Sequence, residues 1–247
     1  MINLVYLLGR GSKWENNELR YSLRSVERYG KNVGDIIIVG EELPDWVSKD
    51  NERIKLLYSK DPYEKKWDNA WYKINQVCKK YDRFILMNDD FFLVKEVDFD
   101  TLPVYYNGEL QSLIDKYTKT SSYVGMLTRT VDVLSKIKPG ATQYNFALHV
   151  PLIVESKKIE KFMKSVDGHA TGLSFRSIYG NLAVKIEDCI QLPDFKINST
   201  ISKNVFNQVI LNRTYFSIGD KFLATTSGGK QILEDLYPTP STFENIT

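Results

Sequence analysis

The sequence predicts an α/β fold: a mostly parallel central sheet flanked by helices, in a single domain. Three observations predict it. Short, continuous runs of Val, Ile and Leu recur through the first ninety residues, as expected of strands buried on both faces. Segments of helical periodicity alternate with those runs, and that rhythm is the mark of a parallel sheet with helical crossovers. The length of 247 residues fits one α/β domain.

Each element follows from local pattern. Residues 2–8 form an apolar first strand. Asn16 or Asn17 then caps a helix that runs to about Tyr29, with Leu19, Leu23 and Val26 at helical spacing and Gly30 as its stop. Residues 35–39 are a second strand closed by Gly40, and 53–58 a third. A helix over 67–80 precedes a fourth strand at 84–87. Beyond this the pattern loosens. Helices are expected over 109–116 and 156–166, a turn at Pro139-Gly140 and a short strand over 150–154. Residues 181–192 alternate apolar and polar around Glu187-Asp188. The segment from Ser227 onward contains two glycines and two prolines and reads as a surface extension with one short helix.

Composition narrows the function classes. With 43% hydrophobic and 26% charged residues the chain can bury a core and is not disordered. A net charge of +2, from 33 basic and 31 acidic residues, argues against a protein that coats nucleic acid. The two cysteines, Cys78 and Cys189, have no C-x-x-C spacing, which excludes a disulfide scaffold or zinc ribbon and suits a reducing compartment. No run approaches the roughly 18 apolar residues of a membrane span. The apolar N-terminus is short and lacks a basic leader, so it reads as a strand and not a signal peptide. A soluble, cytoplasmic protein is the expectation.

In parallel sheets ligands bind outside the carboxyl ends of the strands, which groups residues 9–13, 40–45 and 88–90 as site candidates. The strongest signal is Asn88-Asp89-Asp90 at the end of the fourth strand, between Met87 and Phe91-Phe92. Adjacent carboxylates so near a core repel and are costly to desolvate unless a cation compensates. A divalent ion with hard oxygen ligands, Mg²⁺ or Mn²⁺, is one such cation; capping of the next element is the competing explanation.

A resemblance sharpens this. The block Glu18-Leu19-Arg20-Tyr21-Ser22-Leu23-Arg24-Ser25 is followed by Leu43-Pro44-Asp45-Trp46, then Trp67-Asp68-Asn69-Ala70, then Asn88-Asp89-Asp90-Phe91-Phe92. Their order and spacing resemble the Stealth-type sugar-phosphate transferases, nucleotide-sugar enzymes with a GT-A-like (Rossmann-like) core. The likeness covers residues 1–95 and thins to Leu148-His149-Val150-Pro151 and Glu187-Asp188 afterwards. Residues 177–181 and 236–241 also resemble small phage-encoded glycosyltransferases, which implies the host cytoplasm as a setting.

The resemblance implies that Asp89 and Asp90 hold Mn²⁺ or Mg²⁺ against the donor diphosphate, with His149 as third ligand or as base for the acceptor. Arg20 and Arg24 match family arginines and would fork onto diphosphate oxygens; a solvated helix surface is the alternative. Asn88, Gly9 and Arg10 complete the expected donor contacts, although the family's Thr-Trp-Val-Asp-Gly strand end is replaced here by Leu7-Leu8-Gly9-Arg10-Gly11. Glu187 and Asp188 are candidate acceptor bases, weighed evenly against a surface turn, with Asp194 and Lys196 weaker candidates nearby. Asp90, His149, Glu187 and Asp188 are thus the catalytic candidates. His169 reads as a plain turn residue.

The function these readings favour is a metal-dependent transferase. It moves a sugar from a nucleotide-sugar, a UDP-sugar foremost, to a glycan or a modified DNA base. The domain would span 1–226, with a nucleotide-sugar half (1–95) and an acceptor half (96–226), followed by the extension 227–247. Sugar-1-phosphate transfer of the Stealth type is the alternative; the missing block and the chain's small size favour glycosyl transfer. A metal-dependent nuclease or phosphohydrolase, and a non-catalytic sugar-nucleotide-binding module, are the readings from other classes.

Overall fold

The first strand sits at the middle of its sheet because both of its faces are apolar. In the computed structural model, which describes residues 1–117, 121–163, 166, 172–199, 201–224 and 228–245, Leu4 and Tyr6 face one core while Val5 faces another. In chain order the first half runs β1 (Ile2–Leu7), α1 (Asn17–Tyr29), β2 (Gly30–Lys31), β3 (Val33–Gly40), β4 (Ile54–Tyr58), α2 (Lys66–Cys78), β5 (Arg83–Met87), β6 (Phe91–Leu93) and β7 (Val97–Asp98). There follow β8 (Val104–Tyr106), α3 (Leu110–Lys116), α4 (Ser122–Ile137), β9 (Leu152–Glu155), α5 (Ser156–Met163), α6 (Phe175–Ala183), β10 (Cys189–Gln191) and β11 (Lys196–Ile197). The chain closes with α7 (Lys203–Ile210), β12 (Tyr215–Ile218), α8 (Asp220–Ala224) and α9 (Gly229–Leu236).

The main sheet has the order β4-β3-β1-β5-β9. Its first four strands are parallel, with Val5 opposite both Ile37 and Leu86, and β9 joins antiparallel at the edge. The mostly parallel α/β sheet expected from the sequence is therefore the fold. A second, three-stranded sheet, β11-β12-β6, grows from the residues that follow the acid pair. In it Ser217 lies opposite Phe91.

Helix α1 ends at Gly30 as its sequence foretells: a Cβ there would come within 2.6 Å of the Val26 carbonyl oxygen. Its start differs from expectation, since Asn16 has a left-handed backbone and its side chain makes no capping bond. Ser12 Oγ instead accepts from the Trp14 and Asn16 amides.

The second half departs further. The 16-residue α4 and helices α6 and α7 were not evident from the sequence. The C-terminal segment is not a surface extension. Ile232, Leu233, Tyr237 and Phe243 are buried, and Glu244 accepts from Arg24 and Arg20 on α1. His169 and the end of the expected 156–166 helix at 164–165 lie outside the described residues. Among the described residues no helix is long and apolar enough to cross a membrane.

Candidate active site

Strand β5 ends at Met87, and the chain turns through 88–90 into β6, closed by the Phe91 amide donating to the Asn88 carbonyl at 3.2 Å. Helix α1 fixes this turn from behind. Ser22 Oγ donates to the Phe91 carbonyl at 2.6 Å, and Ser25 Oγ accepts from the Leu93 amide at 3.1 Å. Asp89 and Asp90 thereby face a cavity of about 520 Å³ at the carboxyl end of β1, lined also by Gly9, Arg10, Glu18 and Asp61.

The pair is short of positive charge. Asp90 Oδ2 accepts from Lys196 Nζ at 2.8 Å and from Ser217 Oγ at 3.0 Å, but its Oδ1 is buried without a hydrogen-bond partner among the described residues. Burial, then the neighbouring Asp90, then Glu18 push the Asp89 carboxyl up to about 7. Glu18 itself accepts from Ser12 Oγ at 2.8 Å. Deeper in the cavity the buried Lys73 ammonium bridges the Leu8 carbonyl and Asp61 Oδ1, each at 2.5 Å. Asp61 Oδ1 has no second partner to add to this ion pair.

A larger cavity of about 640 Å³ adjoins it, sharing Leu7, Lys66 and Ala70 as wall. Here His149 Nδ1 lies 2.8 Å from Asp194 Oδ2, and the His149 and Phe195 amides donate to Asp194 Oδ1 at 2.8 and 3.0 Å. Burial raises the Asp194 carboxyl, yet the bonds and charge of His149 outweigh it and hold the group below the usual carboxylate range. An ionised Asp194 fixes the tautomer with the proton on Nδ1, leaving Nε2 as a lone-pair acceptor.

Arg176, from α6, lines the same cavity. It donates to the carbonyls of Val150 (2.8 Å) and Leu86 (3.3 Å) and to Asn88 Oδ1 (3.3 Å), and its guanidinium lies over the Phe91 ring. Burial lowers it to about 10, against the charges of Asp90 and Asp194. No carboxylate among the described residues pairs with it directly.

The structure thus gathers Gly9, Arg10, Asn88, Asp89, Asp90 and His149 around two adjoining cavities. Three expectations need correction. Arg20 and Arg24 do not face the donor side: both bind Glu244, Arg24 through two bonds of 2.7 Å, because the C-terminal segment folds back over α1. Glu187 and Asp188 sit exposed on a 3-10 turn before β10 and line neither cavity. His149 is held by Asp194 in the adjoining cavity and is not grouped with the acid pair as the expected third ligand. Among the described residues no group of three or more His, Cys, Asp or Glu side chains could hold an ion.

Arg176, Lys73 and Glu18 were missed. A lone Lys on an amphipathic helix reads as surface, although Arg176 directly precedes the 177–181 segment noted above.

Comparison with known proteins agrees with this geometry. Residues 13–109 match the family model described as Stealth protein CR2, conserved region 2. Over 91 residues the chain is 32% identical to the N-acetylglucosamine-1-phosphotransferase subunits alpha/beta of Mus musculus and of Homo sapiens. That match covers 34% of this chain but 7% of those proteins. An exopolysaccharide phosphotransferase of Streptomyces coelicolor is 29% identical over 98 residues, covering 36% of this chain and 16% of that protein. Among solved structures, the galactosyltransferase LgtC, in complex with donor and acceptor sugar analogues, aligns over 99% of this chain and 98% of its own. The TM-score is 0.56 at 11% identity, which establishes a shared GT-A fold. A second LgtC structure, of an active-site mutant, gives 0.53 at 10% identity over the same shares. The likeness to Stealth proteins thus spans residues 13–109, and the GT-A likeness of the fold spans the chain.

Proposed function

We propose that this chain is a transferase that moves a sugar-bearing group from a nucleotide-sugar to an acceptor hydroxyl. One observation carries the reading: an acid pair short of positive charge adjoins a cavity that holds an oriented Asp–His dyad. The relatives' names and the GT-A fold support it.

The acid pair suits a divalent ion held jointly with substrate. Asp90 Oδ1 is a buried oxygen without a partner, and Asp89 is crowded by like charge. Mg²⁺ is commonly bound by one or two carboxylates plus substrate phosphates, so the lack of a third protein ligand among the described residues fits. Asp89 and Asp90 would hold Mg²⁺ or Mn²⁺, which supplies charge neutralisation at the donor diphosphate. His149 Nε2 takes the proton from the attacking hydroxyl, and Asp194 keeps the ring in place and stabilises the imidazolium that forms. Arg176 and Lys196 face the negative charge that develops between the two cavities.

A specific observation favours sugar-phosphate transfer over glycosyl transfer. A buried guanidinium with no acid partner suits a group whose own oxygens bear charge, as the phosphorus centre does in phosphoryl transfer. The products decide: with a panel of UDP-sugars and Mn²⁺ or Mg²⁺, UMP release marks sugar-phosphate transfer and UDP release glycosyl transfer. If no nucleotide-sugar raises the melting temperature, or if Asp90→Ala responds as the wild type does, the donor cradle is wrong. Cleavage of phosphodiesters would point instead to a nuclease, and donor-dependent stabilisation without turnover on any acceptor to a binding module.

A further inference from the structure

His149 lines a second, smaller cavity of about 290 Å³ as well as the large one. Its walls come from short elements of the second half. Tyr105 on β8 and Tyr215 on β12 meet edge to face at 6.0 Å. Phe195 follows Asp194 directly, so one segment both orients the histidine and walls this cavity. The Arg213 guanidinium stacks 4.6 Å over the Phe195 ring, and no carboxylate among the described residues pairs with it. Asn212 and Thr214 add an amide and a hydroxyl.

Rings that present both faces and edges suit a flat, partly apolar ligand, and the polar groups at the rim suit hydroxyls. A stacked arginine without an acid keeps its planar fork for a carboxylate or phosphate. A nucleic-acid strand would need a track of cations along its backbone, and this cavity offers one guanidinium.

We propose that this cavity seats the neighbouring ring of an oligosaccharide acceptor, one bearing an acidic group that Arg213 binds, while the ring with the reactive hydroxyl lies at His149. The assignment rests on the transferase reading and selects a glycan acceptor over a modified DNA base.

The test titrates the full chain with acidic disaccharides (glucuronate-, galacturonate- and phosphate-bearing), their neutral counterparts and a short thymidylate oligonucleotide, followed by saturation-transfer NMR and calorimetry. The wild type should bind at least one acidic disaccharide. Arg213→Gln should weaken that binding about tenfold while leaving the neutral counterpart and the melting temperature unchanged. Tyr105→Leu should weaken both sugars. The proposal is overturned if the wild type binds no disaccharide, if Arg213→Gln binds the acidic sugar as well as the wild type, or if the oligonucleotide is the ligand that Arg213→Gln loses. Binding is read without donor, so a failure of this assignment is distinct from a failure of nucleotide-sugars to stabilise the chain.

Discussion

Replacing Glu244 by Ala should be among the most damaging single changes outside the cavities. The Glu244 side chain is fully buried, and its two oxygens accept from Arg24 through Nε and Nη2 at 2.7 Å each, from Arg20, and from the amide and hydroxyl of Ser241. Its removal leaves the Arg24 guanidinium, itself only 9% exposed, without its counter-charge. Breaking a buried pair in this way costs about 3–5 kcal/mol, which in a domain of this size lowers Tm by about 6–20 °C. Arg20 is 30% exposed and Arg24 would still answer the carboxylate, so Arg20→Ala should cost no more than about 1 kcal/mol. The effect also has a pH signature. Burial raises the Glu244 carboxyl, but the Arg24 bond, the Ser241 amide and Arg20 outweigh burial and hold it below its ordinary range. Its stabilisation is therefore complete above the unfolded value of about 4.3 and lost as pH falls through the lower folded value. Thermal and urea unfolding followed by circular dichroism at neutral and acid pH measure both. Melting of Glu244→Ala within about 2 °C of the wild type at neutral pH, or an equal loss in Arg20→Ala, would refute the clamp.

Three further outcomes follow from the same structure. Asp194→Asn should lower kcat by about a hundredfold or more with KM little changed, because the base loses its orientation and counter-charge but the cavity keeps its shape; steady-state kinetics check it. Asp89 has a folded pKa of about 7, above its unfolded value, so without divalent ion the wild type should lose stability as pH rises from about 4 to 7. Asp89→Asn should flatten that slope in urea titrations across the range, and an unchanged slope would assign it to other groups. Gly180→Ala places a Cβ 2.2 Å from the Phe146 ring inside α6 and should cost about 1–3 kcal/mol in thermal unfolding, although alanine is the better helix former.

The first half was legible because its strands are buried on both faces. Ile36 and Ile38 join one core while Ile37 and Val39 join the other, so the run has no polar interruption to blur it. Strands β11 and β12 have two and four residues, too few for a period, and exist through pairing with each other and with β6. The acid pair was legible because carboxylates flanked by Met87 and Phe91 are out of place in a strand end. Glu187-Asp188 imitated that pattern, but its apolar neighbours are not core: Ile190 is half exposed. Arg20 and Arg24 were misread because their partner lies more than two hundred residues away, and no local spacing reveals it.

The cation that pairs with Asp90 comes from the half that was hardest to read, whereas Lys73 and Arg10 of the first half pair with Asp61 and Glu41. Lys196 reaches Asp90 from β11, Ser217 from β12, and Arg176 enters from α6, whereas Asp89, Asp90 and Glu18 all belong to the first ninety residues. Docking of the second half brings the Lys196 ammonium and the Ser217 hydroxyl to Asp90 Oδ2. That compensation is incomplete, since one oxygen of Asp90 stays unpartnered and Asp89 remains raised. The shortfall lies at the boundary of two cavities, one bearing the acids and the other the histidine, which is where the proposed transfer would bring a charged donor to a hydroxyl acceptor. Each half of the chain is itself close to neutral, so the shortfall at the acid pair is a matter of where charges are placed and not of how many there are.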